Sequence, residues 1–169
     1  MGARQEWETR LARDAGRAWP GFLAAARREA LEGGSWGAVH GAWSALAVAV
    51  VAAMAGLLGE ETPRVATADP GVSPWPESPV LSGQYARLME DDTPSRVWDT
   101  ASSVVLAGVA AGMSARVLRR ELTDIVGPGG GPAVYDGLSW SIRRGGWDGV
   151  PVLLARDAAT TGYGAAVRA

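Results

Sequence analysis

The chain has 169 residues and a formal charge of −2, with no cysteine and a single histidine, His40. A near-neutral balance offers no basic face for nucleic acid. The lack of cysteine excludes disulfides, thiolate metal sites, iron–sulfur clusters and cysteine nucleophiles within the chain, and one histidine cannot build a multi-histidine centre.

Residues 1–35 are expected to form amphipathic surface helices. Met1–Arg17 mixes arginines with Glu6, Glu8 and Asp14. It lacks the apolar stretch of a secretory signal, and an organelle presequence would be poor in acids. Trp7, Leu11 and Ala15 or Ala18 recur at helical spacing, which predicts a short helix over 5–18 lying on a membrane surface. A second helix is predicted over 20–32, with Pro20 in its first turn and Gly33-Gly34 past its end.

Residues 36–59 are read as the first transmembrane helix. From Ala38 to Gly59 no residue carries a permanent charge. About 20 apolar residues at ~1.5 Å each match a hydrocarbon core of ~30 Å. The alternative is a buried central helix of a soluble all-α protein, although a helix of that length usually shows a polar face.

Residues 60–98 read as an acidic, proline-rich arm outside the membrane. Pro63, Pro70, Pro74, Pro76, Pro79 and Pro94 interrupt regular structure and leave room for a short helix near Gln84–Glu90. Residues 99–118 are the second span candidate. Asp99 stands at its start and Arg116, Arg119 and Arg120 at its end, which suits the helix dipole. Gly108 and Gly112 have the small-xxx-small spacing of close helix packing.

Residues 119–149 combine a flexible glycine-rich break, GPGGGP at 127–132, with an amphipathic helix over 134–144. Residues 150–169 are the third span candidate. Arg156 and Asp157 inside it are costly in lipid, so they are expected to face protein as an intramembrane ion pair, best satisfied by another subunit. Arginines cluster before the first span and after the second, and the loop between is acidic. The positive-inside rule then places the arm on the outer side. Trp36, Trp98 and Trp147 each precede a span and are expected to act as interface anchors.

Two resemblances follow from particular residues. Trp19-Pro20-Gly21, then Gly34, Gly37 and Gly41 in GSWGAVHG, resemble a repeat of the mitochondrial carrier family. There an aromatic-x-Gly opens a short matrix helix and spaced glycines lead into a membrane helix. AGVAAGMSAR at 107–116, Tyr135-Asp136-Gly137, and Gly149 followed by LLARD resemble matching places in a second repeat. Where the family has its proline and gate salt-bridge motif, this chain has Glu121-Leu122-Thr123-Asp124-Ile125-Val126, and about three helices stand for six. The resemblance therefore implies a shortened relative that does not transport alone. Tyr85, Arg96, Ala107, Gly108 and Gly112 resemble, less closely, the spaced motif of the Tim family of inner-membrane translocases, with Ser82 and Thr100 departing from it. Either family implies the mitochondrial inner membrane.

No spacing suggests a catalytic triad, and GPGGGP lacks the Gly-Lys-Ser/Thr ending of a phosphate loop. His40 reads as an interface hydrogen-bonding residue; its alternative is a lone axial ligand for haem or chlorophyll in a pigment-binding subunit. The expectation is an all-α integral membrane protein of about three spans. It would be a non-catalytic structural or assembly subunit of a respiratory-chain or ATP-synthase complex, and the alternative is a transport or translocation component. Gly37, Gly41, Gly108 and Gly112 would pack helices. The expected partners are other subunits and membrane lipids, with no cofactor beyond a possible bound lipid and no nucleic acid.

Overall fold

Alanine is the commonest residue of the chain and the strongest helix former. The computed structural model describes residues 2–60 and 72–168 and is 73% helical. Its elements are α1 (Ala3–Leu31), α2 (Trp36–Leu58), α3 (Pro79–Met89), α4 (Thr93–Ala110), α5 (Ala115–Ile125), a hairpin of β1 (Ala133–Tyr135) and β2 (Trp140–Ile142), a 3-10 turn at Trp147–Gly149, and α6 (Val150–Arg168). Among the described residues only α2 is long and apolar enough to cross a membrane. That replaces the expected three spans with one candidate.

The N-terminal region is one helix rather than two. Pro20 lies inside α1, where it removes one backbone bond and crowds the carbonyl four residues before it. That residue is Gly16, and both Gly16 and Pro20 are on the exposed side. Trp19-Pro20-Gly21 therefore does not open a helix, as the carrier resemblance implies.

Two of the prolines expected to interrupt residues 60–98 instead start helices. Pro79 and Pro94 occupy the first two positions of α3 and α4, where a missing N–H costs nothing because it would be unpaired anyway. The Ser78 side chain caps α3 by accepting from the Leu81 amide at 3.3 Å. The rest of the expected arm, residues 61–71, lies outside the described residues.

The expected helix over 99–118 is two helices. α4 closes on Gly112, whose φ is +69°. The Met113 amide donates to the Gly108 carbonyl at 2.9 Å and the Gly112 amide to Val109 at 3.1 Å. This is the Schellman arrangement, which needs a left-handed residue after the cap. Ser114 then caps α5 through the Val117 amide at 3.3 Å.

The amphipathic helix expected over 134–144 is the β1–β2 hairpin, antiparallel with Tyr135 opposite Trp140. Four residues, Asp136 to Ser139, link the strands, and Gly137 supplies the positive φ, +96°, that the reversal uses. GPGGGP is no flexible break either. A methyl on Gly127, Gly130 or Gly131 would collide with the carbonyl oxygens of Thr123, Ile125 and Arg143 respectively.

The chain divides into two compact units: Met1–Trp19, Trp43–Asp91 and Pro151–Ala169 form the first, Pro20–Ala42 and Asp92–Val150 the second. In the first, the buried side chains include Leu11, Trp43, Leu46, Val50, Met54, Leu81, Leu88 and Leu154. In the second they include Phe22, Leu23, Val39, Val97, Val104, Leu122, Ile125 and Trp147. Each large apolar side chain fully buried contributes ~1.5–3 kcal/mol.

Candidate functional site

The feature that stands out chemically is the surface of α2. The Ser35 hydroxyl caps its start by accepting from the Ala38 amide at 3.3 Å. Gly59 at φ +71° ends it. Between them the helix has a mean hydropathy of 2.0 over its most apolar 18 residues, and 39% of those are buried within the chain. The buried stripe is Val39, Trp43, Leu46, Ala47, Val50, Val51, Met54 and Ala55. The other side is also apolar: Ala45 and Gly56 are exposed, and Val48, Ala49, Ala52, Ala53 and Leu57 are half-buried. A surface helix of a globular protein normally turns charged residues that way.

In the first unit, three helices tie to the covered side of α2. The Trp43 indole N–H donates to the Leu88 carbonyl at 2.8 Å, near the end of α3, where that carbonyl also accepts from the Asp91 amide at 3.2 Å. The hydroxyls of Ser44 and Tyr85 are bonded at 2.8 Å. Gly162 of α6 sits where a methyl would strike the Trp7 ring of α1 and crowd Met54 Cε at 3.2 Å. The Trp7 and Tyr163 rings meet edge-on at 6.3 Å.

Asp157 lies beside this packing. It accepts from Gln84 Nε2 at 2.9 Å and from the Arg87 guanidinium at 2.5 Å. Arg87 also reaches the Thr161 hydroxyl at 3.3 Å. The expected partner from another subunit is thus replaced by Arg87 of the same chain. Arg156 points to the exposed side and does not pair with Asp157; neighbouring helix positions diverge by about 100°. Arg87 and Asp157 are 57% and 41% exposed, so the pair is worth at most about 1 kcal/mol in water. Deeper in the same cluster, Gln84 Oε1 is buried without a hydrogen-bond partner.

The other sequence-predicted residues separate by role. Gly41 has open space where a side chain would project and Gly37 only an ordinary contact with the Ser35 hydroxyl at 3.7 Å, whereas Gly108 touches Leu118 of α5. Gly112 ends a helix instead of packing one, so the Gly108–Gly112 pair is not a helix-packing stripe. Trp36 is exposed and rests on the half-buried His40 ring at 5.4 Å. Trp98 is half-buried. Trp147 is 1% exposed and its indole N–H donates to the Ile125 carbonyl at 3.0 Å, which makes it a core residue of the second unit and not an interface anchor.

Arg10, Arg13 and Arg17 on α1 were legible only as a charge cluster. They line, with Asp14, Ala53, Gly56 and Leu57, a groove of about 400 Å³ within the first unit. Their i, i+3, i+7 spacing put them on one face; which helix lay beside that face was not written in it. Among the described residues no group of three or more His, Asp or Glu is placed to hold a metal ion. No family model matches the chain, and no curated protein or solved structure matches it either.

Proposed function

We propose that this chain is a non-catalytic packing subunit of a membrane complex, with α2 as the element that meets lipid or a neighbouring apolar helix. One observation carries the reading: α2 has no charged residue from Trp36 to Leu58, and its own chain buries only 39% of its most apolar window. Apolar surface left in water forfeits about 25 cal/mol per Å², and large contiguous patches mark interaction or membrane sites. Small residues at Gly41, Ala45, Ala49, Ala52 and Gly56 leave room for a second backbone to come close. The finer assignment, to a mitochondrial inner-membrane complex such as a respiratory-chain enzyme or ATP synthase, draws its support from the spaced glycines Gly34, Gly37 and Gly41 and from LLARD after Gly149. A transport or translocation role would rest on the same residues.

Alkaline carbonate extraction of membranes followed by a native gel tests this. A subunit of this kind stays with the membrane and migrates with a large assembly, whose other members then name the complex and the organelle. Release by carbonate as a small species would sink the reading. That outcome would favour a second one, a water-soluble helical protein built around α2. Its specific support is the exposed Arg87–Asp157 pair on the helices that pack against α2.

A further inference from the structure

The α1 face of the Arg10 groove carries three arginines against one carboxylate, Asp14, and its α2 floor is apolar, and that combination has a chemical meaning. Arg10 and Arg13 make no ion pair among the described residues, whereas Arg17 has a loose one with Asp14 at 3.9 Å. The three guanidinium-bearing positions span roughly 10 Å of helix at ~1.5 Å per residue. Ala53, Gly56 and Leu57 form the floor. One turn earlier, Glu6, Trp7 and Thr9 join Arg10 and Leu57 in lining an adjoining depression, with Tyr163 against the Trp7 ring.

We propose that this groove docks on an anionic phospholipid leaflet, with Arg10 and Arg13 on lipid phosphates and the Ala53–Leu57 face of α2 against the acyl chains. Charge complementarity selects the occupant. Free guanidinium groups above an uncharged apolar strip match a phosphate above a hydrocarbon chain, and a wholly apolar partner helix would leave them stranded. The paired tryptophan and tyrosine belong to the residues that settle at headgroup depth. The proposal rests on the membrane reading above and adds to it a lipid preference and the residues that set it.

The test is flotation of the full chain with vesicles of phosphatidylcholine alone and with one quarter phosphatidylglycerol, at fixed ionic strength. Each arginine near an anionic surface contributes about fivefold in partitioning. The wild type is therefore expected to gain at least about 30-fold from phosphatidylglycerol through Arg10 and Arg13. The double variant Arg10→Gln/Arg13→Gln should lose that share while floating on phosphatidylcholine as before. A control at the exposed Arg119 and Arg120, Arg119→Gln/Arg120→Gln, should keep the groove-dependent share. Inorganic phosphate at matched ionic strength should leave the gain intact. The proposal is overturned if phosphatidylglycerol gives no gain, if the Arg10/Arg13 variant keeps it, if the control loses it instead, or if free phosphate abolishes it. Equal flotation on both vesicles would overturn the groove and leave the membrane reading standing; flotation on neither would overturn both.

Discussion

Trp147 and the glycines around it show how much a single position can hide. The Gly145 amide donates to the Gly129 carbonyl at 2.9 Å, the Arg143 amide to Pro132 at 3.0 Å, and the Trp147 amide to Gly130 at 3.2 Å. The Asp148 carboxylate accepts from the Gly129 amide at 3.1 Å. The backbone thus folds over the Trp147 indole; a Cβ at Gly130, Gly131 or Gly146 would collide, and Gly129 and Gly145 hold positive φ. In sequence the same glycines predict flexibility, since permissive φ and a missing side chain carry one letter. Only the approach of Arg143 and Ile125 separates the two meanings. Gly131→Ala should accordingly lower stability by about 1–3 kcal/mol, the usual range for overpacking a tight site. Gly41→Ala, in open helix space, should be neutral or stabilise by roughly 0.5–1 kcal/mol. Urea denaturation of the two variants checks this, and equal midpoints would mean that the glycine knot is not tightly packed.

At the scale of an element, what was legible depended on whether the boundary was local chemistry. α2 was readable because its limits are Ser35 and Gly59 around an uninterrupted apolar run. The starts of α3 and α4 were placed too late because proline was read as a breaker, although it suits the first turn of a helix as well as a loop. The α4–α5 break was missed because VVLAGVAAGM at 104–113 is apolar throughout, and one left-handed glycine decides it. Gly112→Ala places a Cβ in the left-handed region at a cost of about 1–2 kcal/mol. The variant should lose that much stability, and Gly112→Asn should lose less. A gain of stability in the alanine variant would show that α4 and α5 prefer to run on as one helix.

The hairpin supplies a pH test on the same scale. Its Asp136 carboxylate accepts from the Leu138 and Ser139 amides, each at 2.8 Å. The bonds from Ser139 and then Leu138 hold its pKa below the ordinary carboxylate value. A depressed folded pKa means that the contribution is complete above the unfolded value of ~3.9 and fades as pH falls through the folded one. Leu138 at the tip is 93% exposed, so few other contacts hold the turn. Amide signals of Leu138 and Ser139 should therefore stay constant from pH 7 to about 5 and shift only below about 4. In Asp136→Asn that low-pH shift should vanish.

The whole molecule poses the question that a linear reading answers least well: what covers an apolar helix. The sequence places α2 across a membrane without saying which helices cover it. The structure has α1, α3 and α6 on one side of its C-terminal part, and two of these come from opposite ends of the chain. Arg4 donates to the Thr160 hydroxyl at 2.8 Å across 156 positions, a pairing that no local pattern encodes. Folding of the first unit must close that loop before Trp7 and Gly162 meet, and such non-local contacts slow folding. Gly162→Val examines this closure without shortening the chain. The added methyls occupy space held by the Trp7 ring and Met54, and overpacking of that kind costs about 1–3 kcal/mol. A Trp7 displaced from the α6 surface would shift tryptophan emission to the red. Gly164→Val, whose first added carbon meets only the flexible end of Arg168, should leave emission in place. If both variants gave wild-type emission and stability, the N- and C-terminal helices would not be packed on α2, and within the first unit α3 would be left to cover that helix.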